Sequence, residues 1–424
     1  MDSSKRIPGI WWLSDKPENH IAGDLLIEDR MLELNGSFEE MKSRTFGGSF
    51  GVISVHQDKT IQGIAKKGGK KYTLEYFDEP SSITISMPGY RADTYMLGNI
   101  FEGDHFEKTG DLSFERYYIE FPYLFEWVGG SVINSQMTLL ESNRIGNTTI
   151  TVNNPMTVDV FKNDDFKLSF VITPRGVKIG GEVKEMRLSQ DCTIKIESIK
   201  SNLSLQDAGS IIAHFERFLT IAVGRSLELI KYQASSGKGK DSSTVNITLR
   251  SRREKRITSI HLHNMNFTFA DIKDDGQTIF EKWFSDRDKY ADVFNLLSSI
   301  RSDTGKNLNN QFKDVVSAID GYYGIEIGTF SSNRVDEAIK HFNEQLPNKN
   351  KLLSTKERKQ IRITRNKLSH VTIKPEEEKF VLDNEGMWFN FQKMLFLLEY
   401  VLLKSLGTSE DTLGKFYTKR KNWN

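Results

Sequence analysis

The stretch RITRNKLSHV, residues 362–371, places two arginines, an asparagine, a serine and a histidine among apolar residues. These are the side chains that phosphodiester chemistry uses. An arginine offers a planar fork of donors that matches phosphate and stays charged. A histidine titrates near neutral pH and can carry a proton. An asparagine can orient a hydroxyl or an imidazole through a hydrogen bond. Together, Arg365 and His370 with Asn366 between them would let an RNA 2′-hydroxyl attack its own neighbouring phosphate, with no metal ion required. Arg362 would help hold that phosphate.

The element that must position them is a helix. Ser354 and Glu357 in STKE have the spacing of a capping box, which predicts a helix start there. Taking about 100° per residue with Arg362 at zero, Arg365 falls at about 300°, Asn366 at about 40°, Ser369 at about 340° and His370 at about 80°. On the same wheel Ile361, Leu368 and Val371 fall between about 180° and about 260°, and Ile363 and Lys367 fit neither face well. A buried apolar back would hold the polar face rigid. Basic residues on a helix face often do nothing but meet water, so spacing alone decides little. RITSIH (256–261) and RVDEAIKH (334–341) also set an arginine a few residues before a histidine. The first lies in strand-like sequence, and the second follows its arginine with valine. Only RNKLSH combines helix, polar neighbour and a two-faced wheel.

The surroundings are basic. From Lys349 to Lys374 there are nine lysines and arginines against one acid, Glu357. The C-terminal FYTKRKNWN sets further basic residues beside Tyr417 and Trp423, and RSRREKR (250–256) is another cluster, equally readable as a solvated face. Positive charge beside aromatics suits a phosphate backbone and unstacked bases. The whole chain is nearly neutral, +1 over 424 residues, so nucleic-acid binding must come from such local patches. Cys192 is the only cysteine, which excludes an internal disulfide or a cysteine-rich metal site and favours a reducing compartment. The N-terminus lacks the apolar run of a signal peptide. MWFNFQKMLFLLEYVLLKSLG is interrupted by Gln392, Lys393, Glu399 and Lys404, so it reads as a buried core helix and not a membrane span. The expected location is the cytoplasm.

Upstream, the first ~200 residues carry short β-branched and aromatic runs between turn signals, among them SSITISM, ERYYIEF, TTITVNN, FKLSFVIT and CTIKIESI. Such a pattern suggests a sandwich or barrel. At Ser204 the period changes. SLQD reads as a capping box, and AGSIIAHFERFLTIAVGRSLELIKY follows at helical spacing. ASSGKGKDSS then reads as a loop, and TVNITLRS with RITSIHLHNMNFTFA as a hairpin returning to the sheet. From about Gly276 the chain reads as helices with short polar connections, an antiparallel bundle. The predicted architecture is α+β: a β-rich, sandwich-like region over 1–203, a helix plus hairpin completing it over 204–275, and an all-α bundle over 276–424.

Other motifs are weaker. GGSFG (47–51) fits a nucleophile elbow at Ser49 only if a helix follows, and VISVHQD reads as a strand. His261 and His263 share a strand face but lack a clear third metal ligand. GKGK (237–240) lacks the upstream glycine of a phosphate loop. Trp11 and Trp12 fit sheet packing better than ligand stacking.

RNKLSH, an arginine followed by a polar residue and then a histidine on the penultimate helix of a C-terminal bundle, resembles the HEPN superfamily. NQFKDVVSAIDGYYG followed by IRITRNKLSHV is similar to its ApeA-like group, and GIWWLSDKPENHIAGDLLIEDRMLELNGSF looks like that group's β-rich N-terminal domain. The resemblance implies a helical bundle that dimerises, with two copies of the motif forming one composite site. It implies a metal-independent endoribonuclease that uses no cofactor and leaves 2′,3′-cyclic phosphate and 5′-hydroxyl ends, acting in bacterial antiphage defence by abortive infection. By this carry-over Arg365 and His370 match the catalytic pair and Asn366 the polar position. Asp320 matches an acidic residue on a facing helix, for which a structural ion pair is the simpler role. The implied partners are RNA, tRNA among the candidates, a second copy of the chain, and a phage protein acting as trigger on the N-terminal domain. Membrane attachment is not expected. Two rival readings remain: a ligand- or phage-protein-binding chain whose bundle only dimerises, and a carbohydrate-binding sandwich with a helical tail.

Overall fold

The computed structural model describes residues 6–38, 55–77, 80, 82–86, 90–139, 145–176, 188–237, 243–249, 264–302, 307–328, 334–347, 352–370 and 373–421. Ser49, His261, His263 and the 250–256 basic cluster lie outside them. Seven strands open the chain: β1 (Arg6–Leu13), β2 (Ile21–Leu26), β3 (Met31–Leu34), β4 (Val55–Ala65), β5 (Lys71–Phe77), β6 (Ser82–Ser86) and β7 (Tyr90–Glu102). Six of them close a ring in the order β1-β2-β3-β7-β5-β4, all pairs antiparallel, with β6 added to β7. Alternation of apolar residues turns Trp11, Leu25, Leu32, Leu34, Tyr72 and Leu74 inward to fill it. Trp11 donates its indole N–H to the Gly23 carbonyl at 3.0 Å. Its ring lies where a side chain at Gly63 would stand, since a Cβ there would fall 2.1 Å from it. Trp12 packs against the rings of His20 and His105.

The later strands are β8 (Ser113–Phe114), β9 (Arg116–Glu120), β10 (Ile133–Leu139), β11 (Ile145–Val152), β12 (Met156–Lys162), β13 (Phe166–Arg175), β14 (Ser189–Ser198), β15 (Leu203–Ser204), β16 (Lys231–Ser236) and β17 (Ser243–Thr248). From β7 the sheet continues, open, as β17-β16-β9-β14-β13-β12. The sandwich-like expectation is thus met by one sheet, curled into a ring at one end and open at the other. Strands β10 and β11 form a separate two-stranded ribbon.

The helices are α1 (Leu124–Val128), α2 (Leu205–Val223), α3 (Phe269–Ile272), α4 (Gly276–Ser285), α5 (Ala291–Ser302), α6 (Leu308–Ile327), α7 (Arg334–Asn343), α8 (Thr355–Ser369), α9 (Asn384–Ser405) and α10 (Glu410–Lys421). The Ser204 hydroxyl caps α2 by accepting the Asp207 N–H at 3.0 Å. The helical spacing was expected to run to Tyr232, but α2 stops at Gly224, whose left-handed backbone (φ 75°) ends it. Lys231–Ser236, expected as helix end and loop, is strand β16 and pairs with β17, while 256–263, expected as the second arm of the hairpin, lies outside the described residues. The run 278–302, continuous in its helical period, is two helices, α4 and α5, broken at Asp286–Tyr290, where aspartates favour turns. Helix α10 was not foreseen. Cys192 is buried on β14, and burial pushes its thiol up to about 12.

One apolar cluster runs from Phe101 on β7 through the open sheet and α2 to Phe416 on α10. Within it α2 is clamped to α4. His214 stacks on Trp283 at 4.7 Å, its Nε2–H donates to the Trp283 carbonyl at 2.7 Å, and the Trp283 indole N–H returns to the His214 carbonyl at 3.2 Å. Glu399 of α9 is fully buried, at 0% exposure. Arg301 of α5 donates to its Oε1 through Nε, at 2.9 Å, and through Nη2. Asn266 donates to Oε2 at 3.3 Å, and Arg301 Nη1 reaches the Gly224 carbonyl at 3.2 Å. The apolar C-terminal helix is a core helix as read, and no helix among the described residues is long and apolar enough to cross a membrane.

Two outcomes are expected. Burial lowers the His214 imidazole from 6.5 to about 4. The folded chain therefore binds fewer protons than the unfolded one between those values. This contribution is full above about 6.5 and is lost as pH falls toward about 4, a loss of roughly 2 kcal/mol from near pH 7 to near pH 5. Urea unfolding at the two pH values measures it, and His214→Asn should flatten that part of the profile. Arg301→Met alone strands a buried carboxylate and should cost about 3–5 kcal/mol. Adding Glu399→Leu should restore most of it in a denaturant double-mutant cycle.

Candidate active site

Helix α8 begins where the capping box predicts. Ser354 Oγ accepts the Glu357 N–H at 3.3 Å, and Glu357 Oε2 accepts the Ser354 N–H at 2.7 Å. The other Glu357 oxygen accepts from Lys393 of α9 at 2.6 Å. Burial raises the Glu357 carboxyl, but the hydrogen bonds from Lys393 and Ser354 outweigh it and hold the group below its ordinary range. Arg358 is buried and donates to Asp336 of α7 at 3.1 Å, so this member of the basic run serves the fold. Ile361 sits in the common core. Ile363, a misfit on the wheel, is also fully buried, because α8 is covered by α6, α7, α9 and the short 3-10 helix Pro375–Phe380. Thr364 Oγ1 accepts the Leu382 N–H at 3.0 Å, which ties the following segment back onto the helix.

On this rigid support the polar residues line up as the wheel required, with one correction. Arg362, Arg365 and Asn366 are half-buried on one strip. His370 is not on the helix. It is the C-cap, extended at φ −129° and ψ 142°, and its ring is exposed. Its backbone N–H donates to the Asn366 carbonyl at 2.8 Å, while the Asn366 side-chain oxygen accepts from Arg365 Nη1 at 3.4 Å. Asn366 thus joins the other two, through its main chain on one side and its amide on the other. Among the described residues no carboxylate pairs with Arg365 or His370. Arg362 faces Glu377 at 3.8 Å. The ordinary helical continuation assumed for His370 fails because the last turn ends at Ser369, and a residue at a helix end can aim its side chain away from the barrel of the helix.

Asp320 on α6 does not join this strip through any contact. Both its oxygens are taken by Arg334 at the start of α7, the structural ion pair that was the simpler reading. Sequence reading missed the acidic turn that follows the motif. Glu377 and Glu378 of PEEEKF lie 3.8 Å from Arg362 and 3.6 Å from Lys367. The run of three glutamates so soon after the histidine was the available signal. It also missed a surface on α9, where Trp388 and Phe389 are each 49% exposed. Trp11, inside the ring, and Trp12, against its wall, are packing residues as read. No group of three or more potential metal ligands occurs among the described residues.

Comparison with known families assigns both halves of the chain. Residues 6–283 match ApeA N-terminal domain 1, and residues 269–412 match Apea-like HEPN. No curated protein and no solved structure matches it. The two matches meet on α3 and α4, where the shared core passes from sheet to bundle. With the first match covering well over half of the sequence and the second containing α8 and its Arg–Asn–His strip, the chain belongs to the ApeA-like HEPN family.

Proposed function

We propose that this chain is a metal-independent RNA endonuclease of a bacterial antiphage defence system. The observation that carries the reading is the junction of Arg365, Asn366 and His370 at the end of α8, an arginine and a histidine with no carboxylate partner among the described residues. Both are presented at a rigid helix end. His370 takes the proton from the ribose 2′-hydroxyl, O2′ attacks the adjacent phosphorus, and a second imidazole returns a proton to the departing 5′ oxygen. The products are a 2′,3′-cyclic phosphate and a 5′-hydroxyl. Arg365 stabilises the charge that builds on the phosphoryl oxygens. Arg362 holds the phosphate, and Asn366 orients the set. A monomer supplies one imidazole and the reaction uses two, so activity belongs to a dimer.

Support for the dimer comes from α9. It runs antiparallel to α8, as the Thr364–Leu382 and Glu357–Lys393 bonds require. Its exposed Trp388 and Phe389 are the kind of aromatic anchors that interfaces bury. The β-rich region then restrains the bundle until a phage component binds, and α2, buried against both, is the route of that restraint.

Purified protein incubated with RNA and excess chelator should yield cyclic-phosphate ends. His370→Ala or Arg365→Ala should lower the rate by at least about 100-fold. Cleavage that survives His370→Ala would sink the assignment, and intact RNA under all conditions would favour the rival reading of a dimeric binding protein. Trp388→Glu with Phe389→Glu should shift the protein toward monomer on a sizing column and abolish cleavage together. A monomer that still cuts would remove the composite site.

A further inference from the structure

Beyond the motif, α8 carries a second device. The chain leaves His370, and residues 373–383 fold back along the helix that they follow. Two contacts hold this strap: the Leu382 N–H on Thr364 Oγ1 at 3.0 Å, and Phe380, whose ring lies 3.9 Å beneath the Lys359 ammonium. Neither uses an acid. Yet the strap's 3-10 turn carries Glu376, Glu377 and Glu378 in succession. Glu377 Oε1 stands 3.8 Å from Arg362, and Glu378 Oε1 stands 3.6 Å from Lys367. Both pairs are long; Lys367 and Glu378 are exposed, the class of ion pair that adds least to folding, while Arg362 and Glu377 are half-buried. They do have an electrostatic effect. Two other cations nearby are committed elsewhere, Arg358 to Asp336 and Lys393 to Glu357. The strap therefore covers the two cations that flank Arg365 and leaves Arg365 itself without a carboxylate among the described residues.

We propose that this acidic turn is an intramolecular stand-in for RNA phosphate. Glu377 and Glu378 occupy the phosphate positions at Arg362 and Lys367, and an entering strand must displace them. The turn sets a threshold: a strand that meets the site through one phosphate competes poorly with two tethered carboxylates, whereas one that meets it through several phosphates wins. The proposal rests on the ribonuclease reading of α8 for its biological sense. Its test does not, because it reads binding.

The test compares full-length protein with Glu377→Gln/Glu378→Gln, which keeps side-chain shape and removes charge. Both carry His370→Ala so that the RNA stays whole. Glu410→Gln/Asp411→Asn, which removes two acids on α10 that are each likewise beside a lysine, controls for net charge. The probe is a fluorescent single-stranded RNA of about ten nucleotides followed by anisotropy. The strap variant should bind about ten-fold more tightly at low salt, and the gain should shrink as salt rises. The α10 control should match the parent. Equal affinity of strap variant and parent, or the same gain in the control, overturns the proposal. Cleavage is then measured with His370 restored. Tighter binding with intact RNA would fell the nuclease reading and keep the strap. His370-dependent cleavage without any gain in affinity would do the reverse.

Discussion

Helix α2 keeps one narrow stripe, Gln206, Ser210, Ala213 and Arg217, toward solvent and is otherwise covered, and the rest of the molecule is organised by that constraint. Its apolar residues, from Ala208 and Ile211 through Phe215 and Phe218 to Val223, lie in a single buried cluster shared with the open sheet and the helices that follow, while Gln206, Asp207 and Ala213 face solvent. A helix apolar on so much of its surface is stable only when that apolar surface is covered. The chain covers it by bringing the bundle back onto the sheet. Two polar devices fix how the layers meet. The reciprocal hydrogen bonds of His214 and Trp283 set α2 against α4, and Glu399, taking Arg301 and Asn266, sets α9 against α5 and the end of α2. An unpaired charge or imidazole at such depth is costly, so sliding one layer over the other would lose these bonds as well as apolar contact. The boundary between sheet and bundle is a shared core and not a linker.

The candidate site lies at the far side of that construction. Helix α8 is held by a capping box at its start, a buried arginine in its first turns and covering elements around its apolar residues. The half-buried strip of Arg362, Arg365 and Asn366 leads to the exposed His370. Placing the histidine just past the last turn frees it from the helical wheel and sets it beside Asn366, whose carbonyl receives its N–H. Arginine and histidine then emerge from different backbone conformations, one helical and one extended, which widens the range of directions from which they can meet a common phosphate.

Much of this was legible in the residues. The capping spacings of Ser354 and Ser204, the amphipathic periods of α6 to α9 and the polar strip of α8 are local signals, and local signals survive folding. Where the reading went astray, tertiary structure or a single backbone choice decided. Gly224 in a left-handed conformation ended α2 and turned the helical-looking GRSLELIKY into the approach to strand β16. The alternation of the early strands gave strands but not their closure, because a sheet curled into a ring and a flat one present the same period. Asp320 reads in sequence as one half of an ion pair, but its partner Arg334, and the pairing of Arg358 with Asp336, join residues distant along the chain and come only with the fold. The strap was missed because its meaning depends on folding back.

Strand β7 belongs to both halves of the sheet, and two of its successive residues belong to different cores. Ile100 points into the ring and Phe101 into the cluster shared with α2. The strand is therefore one wall of two cores. A ligand that deforms the ring wall enough to rotate this strand about its own axis must swing those two side chains in opposite senses, so that strain applied at one end of the molecule arrives in the other as a change of packing around the helix that carries the bundle.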